Sequence, residues 1–213
     1  MSKNKNPMSL LYNYYISDSS EIDFLIQHYK IQPTGFVHVG AHRLEEKGTY
    51  SQYVDNDKML WVEANEDLVK LFPKDNVIHA LIGMNDDEEM DYLHYNNSKL
   101  NSVLELVDED EKKKGFEIVS STKMKMKRMD TILKDIDNDY DFLVIDVQGY
   151  EGEVISSLGS ELKRFKYIFV ETSDREIYKN GSLLNNITPK LQDYKLKYHR
   201  FLNGFGNAFY VRN

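Results

Sequence analysis

The sequence contains no cysteine, which excludes disulfide bonds and thiolate-bound metal sites. It also lacks any apolar run long enough for a signal peptide or a membrane span. A reducing interior is the simplest setting for such a chain. We therefore expect a cytoplasmic protein without a membrane span, or one of the host cytoplasm if the chain is viral.

An excess of positive charge is missing as well. The 27 Lys and Arg residues are outnumbered by 35 Asp and Glu residues, which gives a formal net charge of −8. Broad binding to a nucleic-acid backbone needs the opposite balance, so nucleic acid is not expected as a partner. A neutral or cationic ligand fits this charge better.

The length and composition fit one domain. With 213 residues and 41% hydrophobic content, the chain can bury one core but is too short for two ordinary domains. Apolar residues at helical spacing in 22–29, after the candidate N-caps Ser19 and Ser20, predict a helix near the start. We expect residues 1–34 to form a helical extension that packs on a domain of residues 35–213.

Continuous apolar runs alternate with amphipathic segments, a pattern typical of a mostly parallel sheet covered by helices on both faces. The predicted strands of this sheet are 36–39, 60–63, 77–82, 142–147 and 167–171, and the predicted helices are 45–55, 67–72, 129–136, 151–158 and 183–194. The middle of the chain breaks this order, with strands expected at 90–95 and, exposed and antiparallel, at 122–127. Two closing strands, 196–201 and 207–211, should form a hairpin. The predicted fold class is α/β, a Rossmann-like twisted sheet with a C-terminal antiparallel hairpin.

Several candidate site residues fall at the carboxyl ends of predicted strands, where open parallel sheets bind ligands. They are Gly40, Glu63, Gly83, Asp146 and Glu171. Glycine at position 40 lets the backbone approach a ligand, although a plain strand-to-helix turn would also use it. A carboxylate at position 63 suits the two hydroxyls of a ribose, although it could instead cap the next helix. Together these ends suggest a nucleoside-binding α/β enzyme.

The glycine pattern of a dinucleotide site is also missing. The turn reads Gly40-Ala-His-Arg-Leu-Glu-Glu-Lys-Gly48, without the second glycine of G-x-G-x-x-G. Glu45 and Glu46 would repel a phosphate but tolerate an ammonium group. This favours S-adenosylmethionine over a nicotinamide dinucleotide, although the two glutamates could simply form a polar first helical turn.

Six segments taken in order resemble the FkbM-type methyltransferases, a branch of the class I S-adenosylmethionine-dependent enzymes. The segments are His38-Val-Gly-Ala-His42 with Glu45-Glu46, Trp61-Val-Glu-Ala-Asn65, Ala80-Leu-Ile-Gly83, Asn101-Ser-Val-Leu104, Met129-Asp-Thr-Ile132 and Asp141-Phe-Leu-Val-Ile-Asp-Val-Gln-Gly-Tyr-Glu151. The resemblance covers the chain from about residue 36 to its end. It implies O-methyl transfer, commonly to sugars or other hydroxylated metabolites. One departure is Gln148, where many members have glutamate.

The resemblance also implies roles for individual residues around S-adenosylmethionine. Gly40 and Ala41 should line its methionine part. Glu63 should hold the ribose, with Asn65 near the adenine, and Ser102 and Asp146 should complete the pocket. The full set predicted to bind the cofactor is Gly40, Ala41, His42, Glu45, Glu63, Asn65, Gly83, Ser102, Asp146 and Gln148.

Methyl transfer to a sugar hydroxyl needs a base or a cation, because these hydroxyls are very weak acids. The predicted catalytic residues are Asp146, Glu171 and His42. Asp146 and Glu171, with Asp174 just beyond, could hold Mg²⁺ or Mn²⁺ through oxygen ligands. Without a metal, Asp146 could act as the base, or the acids could only bind sugar hydroxyls. Glu171 could instead form an ion pair with Arg175 or a lysine.

The predicted function is S-adenosylmethionine-dependent O-methylation of a sugar hydroxyl in a glycan or glycoconjugate. One alternative is O-methylation of a small hydroxylated metabolite. Another is a non-catalytic nucleoside-binding module. A nicotinamide dehydrogenase would require the glycine pattern that the chain lacks.

Overall fold

The computed structural model describes residues 17–213, so residues 1–16 of the predicted N-terminal extension lie outside the described residues. The strands are β1 (Phe36–Val39), β2 (Met59–Glu63), β3 (Val77–His79), β4 (Leu81–Ile82), β5 (Glu89–Tyr95), β6 (Ile118–Lys127), β7 (Phe142–Ile145), β8 (Tyr167–Ser173), β9 (Tyr194–Leu202) and β10 (Phe205–Arg212). The α-helices are α1 (Asp18–Tyr29), α2 (Lys47–Tyr50), α3 (Glu66–Val69), α4 (Glu109–Lys112), α5 (Met129–Leu133), α6 (Glu151–Ser157) and α7 (Leu184–Ile187). Within this range, none of the helices combines the length and the apolar character needed to cross a membrane.

Seven strands form one sheet in the order β3-β2-β1-β7-β8-β10-β9. Neighbours are parallel from β3 to β8, and β10 is antiparallel to both β8 and β9. The strands β1 and β7 are buried at every position, as continuous apolar runs at the centre of a parallel sheet require. The predicted α/β class, with a mostly parallel sheet and a C-terminal antiparallel hairpin, is confirmed.

Alternating side chains divide the core into two layers, one on each face of the sheet. One layer joins Val37 and Leu143 to residues of α5, α6 and α7. The other joins Trp61 and Phe209 to α1 and to Tyr50 of α2. Helices therefore cover both faces, as the apolar runs predicted.

Helix α1 packs on the second layer through three side chains at helical spacing. Ile22, Leu25 and Ile26 are at most 1% exposed. Its N-cap is Ser17, which has extended backbone angles and accepts a hydrogen bond from Ser20 N. The predicted N-caps Ser19 and Ser20 were wrong, because both already belong to the first turn of the helix.

Strands β4, β5 and β6 form a separate three-stranded sheet in the order β4-β6-β5. The predicted antiparallel strands of the middle segment are β5 and β6. The single predicted strand 77–82 was wrong, because the chain changes partners within it. Ala80 N still donates to Glu63 O of β2, whereas Gly83 N donates to Lys127 O of β6.

Two predicted helices are much shorter than expected. The helix at 45–55 is reduced to the single turn α2. Its start is delayed because the chain enters it through His42 and Leu44 in left-handed conformations. The helix at 183–194 ends with α7 and a 3₁₀ turn at 188–190 that contains Pro189, which has no N–H to continue a helix. Tyr194 already begins β9. Every other predicted helix and strand overlaps an observed element.

Candidate functional site

A cavity of about 480 Å³ opens above the carboxyl ends of β1 and β7. The chain runs from β1 to β2 on one side of the sheet and reaches β7 on the other, so the strand order reverses at this point. Gly40, directly after β1, has a φ of +86°, and a Cβ there would overlap the carbonyl oxygen of Asp146. Only glycine lets the turn after β1 pass so close to the end of β7.

Glu63 ties two turns of the cavity wall together. Its Oε2 accepts from His42 N at 2.8 Å, and its Oε1 accepts from Asn65 N at 2.7 Å. The residue is 6% exposed, and burial raises the pKa of its carboxyl although the backbone hydrogen bonds oppose this rise. Each carboxylate oxygen can accept more than one hydrogen bond, so this side chain can also accept from hydroxyls of a ligand.

His42 lies in a hydrogen-bonded network at the mouth of the cavity. Its Nδ1 is 2.9 Å from Glu45 Oε1, and its Nε2 is 2.9 Å from Ser98 Oγ. Lys99 Nζ lies 3.2 Å from the same Glu45 oxygen. Burial alone would raise the pKa of Glu45, but the hydrogen bond and charge of His42 and the charge of Lys99 lower it to about 2. Both ring nitrogens of His42 are therefore occupied by wall residues.

Asp146, Gln148 and Glu171 meet at the carboxyl ends of β7 and β8. Gln148 Nε2 donates to Asp146 Oδ1 at 2.7 Å and to Glu171 Oε2 at 2.6 Å. Its Oε1 accepts from the hydroxyl of Tyr178 at 2.8 Å. Burial, followed by the charge of Asp146 and a hydrogen bond to it, raises the pKa of Glu171 well above its ordinary value.

The predicted ion pair of Glu171 with Arg175 is not formed. Arg175 Nε instead lies 2.8 Å from Asp108 Oδ2. Glu171 therefore stays available to the cavity, which it lines.

His38 is a buried residue inside β1. It is 4% exposed, its Nδ1 lies 3.0 Å from the hydroxyl of Tyr50, and burial lowers its pKa to about 3. Glu46, whose Oε2 is 3.8 Å from the same nitrogen, lines the cavity. Burial and the nearby charge of Asp18 raise the pKa of Glu46 to about 7.

A polar row that was not predicted from the sequence continues from Glu171 across the hairpin. In the register of the sheet, Asn207 stands beside Glu171 of β8 and Arg200 of β9. Asn207 Nδ2 donates to Asp18 Oδ1 in the first turn of α1 at 2.6 Å. Burial and the charge of Asp146 raise the pKa of Asp18 to about 7. Asp18, Arg200 and Asn207 all line the cavity.

One signal for this row is present in the sequence. Strand alternation puts Asn207 on the same face as Phe209, which is fully buried. A polar side chain at such a position needs polar partners and indicates a site. Asp18 gives no comparable local signal, because it is an ordinary acidic residue in a first helical turn.

Most predicted site residues come together, but three do not. Gly40, Ala41, His42, Glu45, Glu63, Ser102, Asp146, Gln148 and Glu171 line the cavity, whereas Asn65, Gly83 and Asp174 do not. Asn65 caps α3, since its Oδ1 accepts from Asp67 N at 3.1 Å. Gly83 packs on β6, where a Cβ would overlap Met126 Sδ. Asn65 and Gly83 therefore lie outside the lining of this cavity.

Ser102 has a supporting role in the cavity wall. Its hydroxyl donates to Gln148 O at 2.7 Å and accepts from Leu104 N at 3.0 Å. It therefore fixes the turn that carries Gln148.

The predicted set of metal ligands is not assembled. Asp174 is exposed, and its N–H donates to Gly204 O in the hairpin turn. Across residues 17–213, no group of three or more His, Asp or Glu side chains is arranged to hold a metal ion. The donor set around Asp146 and Glu171 is completed by an amide N–H group, which cannot bind a cation. These residues do not fit the predicted Mg²⁺ or Mn²⁺ site.

The Methyltransferase FkbM domain matches residues 38–198, which span β1 to β9 and include the cavity's central residues. The chain belongs to the FkbM methyltransferase family. None of the curated proteins matches it.

Two solved methyltransferases share the fold of this FkbM protein. One is the O-methyltransferase from Bacillus cereus in complex with SAH, with a TM-score of 0.54, 11% identity, and coverage of 97% of this chain and 86% of that chain. The other is an S-adenosylmethionine-dependent methyltransferase from Clostridium acetobutylicum, with a TM-score of 0.53 and 7% identity. The match covers 92% of this chain and 90% of that chain. At these identities the likeness concerns the fold alone, which is that of the class I methyltransferases.

Proposed function

We propose that this FkbM methyltransferase transfers a methyl group from S-adenosylmethionine to a sugar hydroxyl of a glycan or glycoconjugate. The observation that carries the proposal is the buried carboxylate of Glu63, which stands at the carboxyl end of β2 beside the glycine turn after β1. A carboxylate in this position suits the two hydroxyls of a ribose. Membership of the family supports methyl transfer, and the resemblance to FkbM-type enzymes supports a sugar hydroxyl as acceptor.

The cavity wall fits the adenosine part of the cofactor. Beside Glu63, the wall is formed by apolar side chains such as Val62, Leu81 and Ile82. Such surfaces suit a flat aromatic ring, while a few polar groups fix its orientation. We therefore place the adenine against this wall and the ribose hydroxyls on Glu63.

The opposite part of the wall fits the methionine end. Gly40 and Ala41 carry no bulky side chain, and the acidic groups Glu45 and Asp146 also line the cavity. Negative side chains stabilise the ammonium and sulfonium charges of S-adenosylmethionine. The low pKa of Glu45 keeps its carboxylate charged at neutral pH.

Bound S-adenosylmethionine would supply a methyl group attached to a sulfonium sulfur. The leaving group would be the neutral thioether of S-adenosylhomocysteine. The protein then has to hold the acceptor oxygen in line with this methyl group and accept the hydroxyl proton. We assign proton acceptance to the pair Asp146 and Glu171, which share the amide of Gln148. His42 would first have to leave Glu45 or Ser98, so we assign it to the cavity wall.

The acceptor side of the cavity lies between α1 and the β9–β10 hairpin. Asp18, Glu171 and Asn207 line it with hydrogen-bonding groups, namely two carboxyl groups and one amide. An acceptor with several neighbouring hydroxyls can satisfy such a set. This arrangement is the structural support for a carbohydrate acceptor.

Replacing Asp146 with asparagine should lower methyl transfer at least ~hundredfold, within the range of a lost general base. Asparagine keeps an oxygen for the hydrogen bond from Gln148, so the affinity for S-adenosylhomocysteine should change by less than about tenfold. Turnover and calorimetric binding should be measured on the same preparations. The control is Asp137→Asn, an exposed position that precedes β7 at its other end. An Asp146→Asn variant with full turnover would remove Asp146 from the mechanism.

The acceptor class can be tested by measuring S-adenosylhomocysteine release with the full chain, S-adenosylmethionine and a panel of candidate acceptors. The panel should contain free sugars, nucleotide sugars and small hydroxylated metabolites. Turnover that depends on a sugar supports the proposal. Turnover with small non-sugar hydroxyl compounds alone would replace it with the metabolite alternative, and cofactor binding without any turnover would favour a non-catalytic nucleoside-binding module.

A further inference from the structure

The turn after β7 is built to place one side chain between two acids. Gln148 has a φ of +57°, and Gly149 has a φ of +99°. The left-handed conformation is unfavourable for a residue with a side chain. Contacts on both sides hold the turn in place: Ser102 Oγ donates to Gln148 O at 2.7 Å, and Ser182 N donates to Gly149 O at 2.8 Å. The conformation of Gln148 is therefore imposed by its surroundings.

Tyr178 packs directly under this turn. A Cβ on Gly149 would lie 2.8 Å from the Cβ of Tyr178, so only glycine lets the two segments pack this closely. Tyr178 is 3% exposed, and its hydroxyl donates to Gln148 Oε1. This hydrogen bond turns the amide so that its NH₂ group faces Asp146 and Glu171.

The amide group uses its full donor capacity on the two acids. Its nitrogen has two N–H bonds, and it lies 2.7 Å from Asp146 Oδ1 and 2.6 Å from Glu171 Oε2. A divalent cation that bridged the same oxygens would need the space that this nitrogen fills, since Mg²⁺ binds oxygen at about 2.0–2.1 Å. Gln148 is itself only 9% exposed, so the amide cannot easily move aside into solvent.

We propose that Gln148 is a positioning residue whose amide takes the place of a divalent cation between Asp146 and Glu171. Its hydrogen bonds fix the positions of the two carboxyl groups relative to each other. Its nitrogen fills the space in which they would otherwise bind a cation. The raised pKa of Glu171 agrees with this arrangement, because a neutral amide relieves the repulsion from Asp146 less than a cation would. This role of Gln148 rests on the proposed function, in which Asp146 and Glu171 are catalytic. Cation binding, however, can be measured without a methyl acceptor.

The test is Mn²⁺ binding to the full chain, followed by the electron paramagnetic resonance signal of free Mn²⁺. Gln148→Glu replaces the N–H donors with a third carboxylate oxygen, and Gln148→Ala opens the space between the two acids. Since ligand charge sets cation affinity, Gln148→Glu should bind Mn²⁺ at least ~tenfold more tightly than the wild type. Gln148→Ala should also gain affinity. The matched control is Gln192→Glu, the same chemical change at an exposed position.

The gain should be lost when Asp146→Asn is added to Gln148→Glu. Wild-type protein that binds Mn²⁺ as tightly as Gln148→Glu, in a manner that depends on Asp146, would overturn the proposal. Failure of both Gln148 variants to gain affinity would overturn it as well. If Gln148→Glu does not fold, as thermal unfolding would reveal, Gln148→Ala alone decides the question. Binding of S-adenosylhomocysteine to the wild type is measured separately, and its absence would contradict the proposed function without changing the Mn²⁺ result.

Discussion

Replacing Glu63 with glutamine should lower the affinity for S-adenosylhomocysteine at least about tenfold, a loss of about 1.4 kcal/mol or more. Both oxygens of Glu63 already accept backbone N–H groups, from His42 and Asn65. In glutamine, one of these oxygens becomes an NH₂ group that faces another donor. A buried donor without an acceptor costs about 1–3 kcal/mol. The variant also loses charge-assisted hydrogen bonds to the ribose hydroxyls.

Calorimetric titration with S-adenosylhomocysteine measures this loss. The control is Glu66→Gln in α3, where the side chain is 63% exposed. That variant should bind like the wild type. Unchanged affinity in a folded Glu63→Gln variant would show that Glu63 does not hold the ribose.

Replacing Glu151 with glutamine should make the protein more stable at pH 8 but leave its stability near pH 5 almost unchanged. Glu151 is 1% exposed, and burial raises its pKa from 4.5 to about 8. The folded protein therefore binds this proton more tightly than the unfolded chain does. The resulting contribution to stability is complete below about pH 4.5 and is lost as the pH rises towards 8. Glutamine cannot ionise, so the variant should avoid this loss.

The expected difference at pH 8 is on the order of a few kcal/mol, since one pKa unit corresponds to about 1.36 kcal/mol. Glutamine at this position keeps an oxygen that can accept from Val147 N and Gly149 N, as Glu151 Oε1 does. Urea unfolding at pH 5 and pH 8 measures the effect. Glu153→Gln, in the same helix at a partly exposed position, is the control. A Glu151→Gln variant that loses stability equally at both pH values would show that the charged form is the stabilising one.

The sheet was predictable because its strands are continuous apolar runs. Burial on both faces leaves no polar alternation, and the short connections leave few topologies to consider. The short helices were harder to predict. At 45–55 and 183–194, apolar spacing suggested long helices, but left-handed residues before α2 and Pro189 after α7 limit both elements. Apolar periodicity alone does not report these backbone constraints.

The centre of the site was predictable because parallel strands bring their carboxyl ends to one edge. Glu63, Asp146 and Glu171 line one cavity for this reason. The contacts between pairs of residues were not predictable. Gln148 donates to both Asp146 and Glu171, and Asp18 reaches the cavity from a helix more than a hundred residues away in sequence. Asn65 and Gly83 also follow strands, but their side-chain and backbone positions serve α3 and β6. Position at a strand end alone therefore does not identify the residues of this site.

The most direct test of the account is calorimetric binding of S-adenosylhomocysteine to the full chain, with and without Mg²⁺ and with NAD as the control ligand. We expect micromolar binding of S-adenosylhomocysteine that Mg²⁺ does not change, and no binding of NAD. Absence of binding under both conditions would contradict the proposed enzyme and leave a methyltransferase fold with another use.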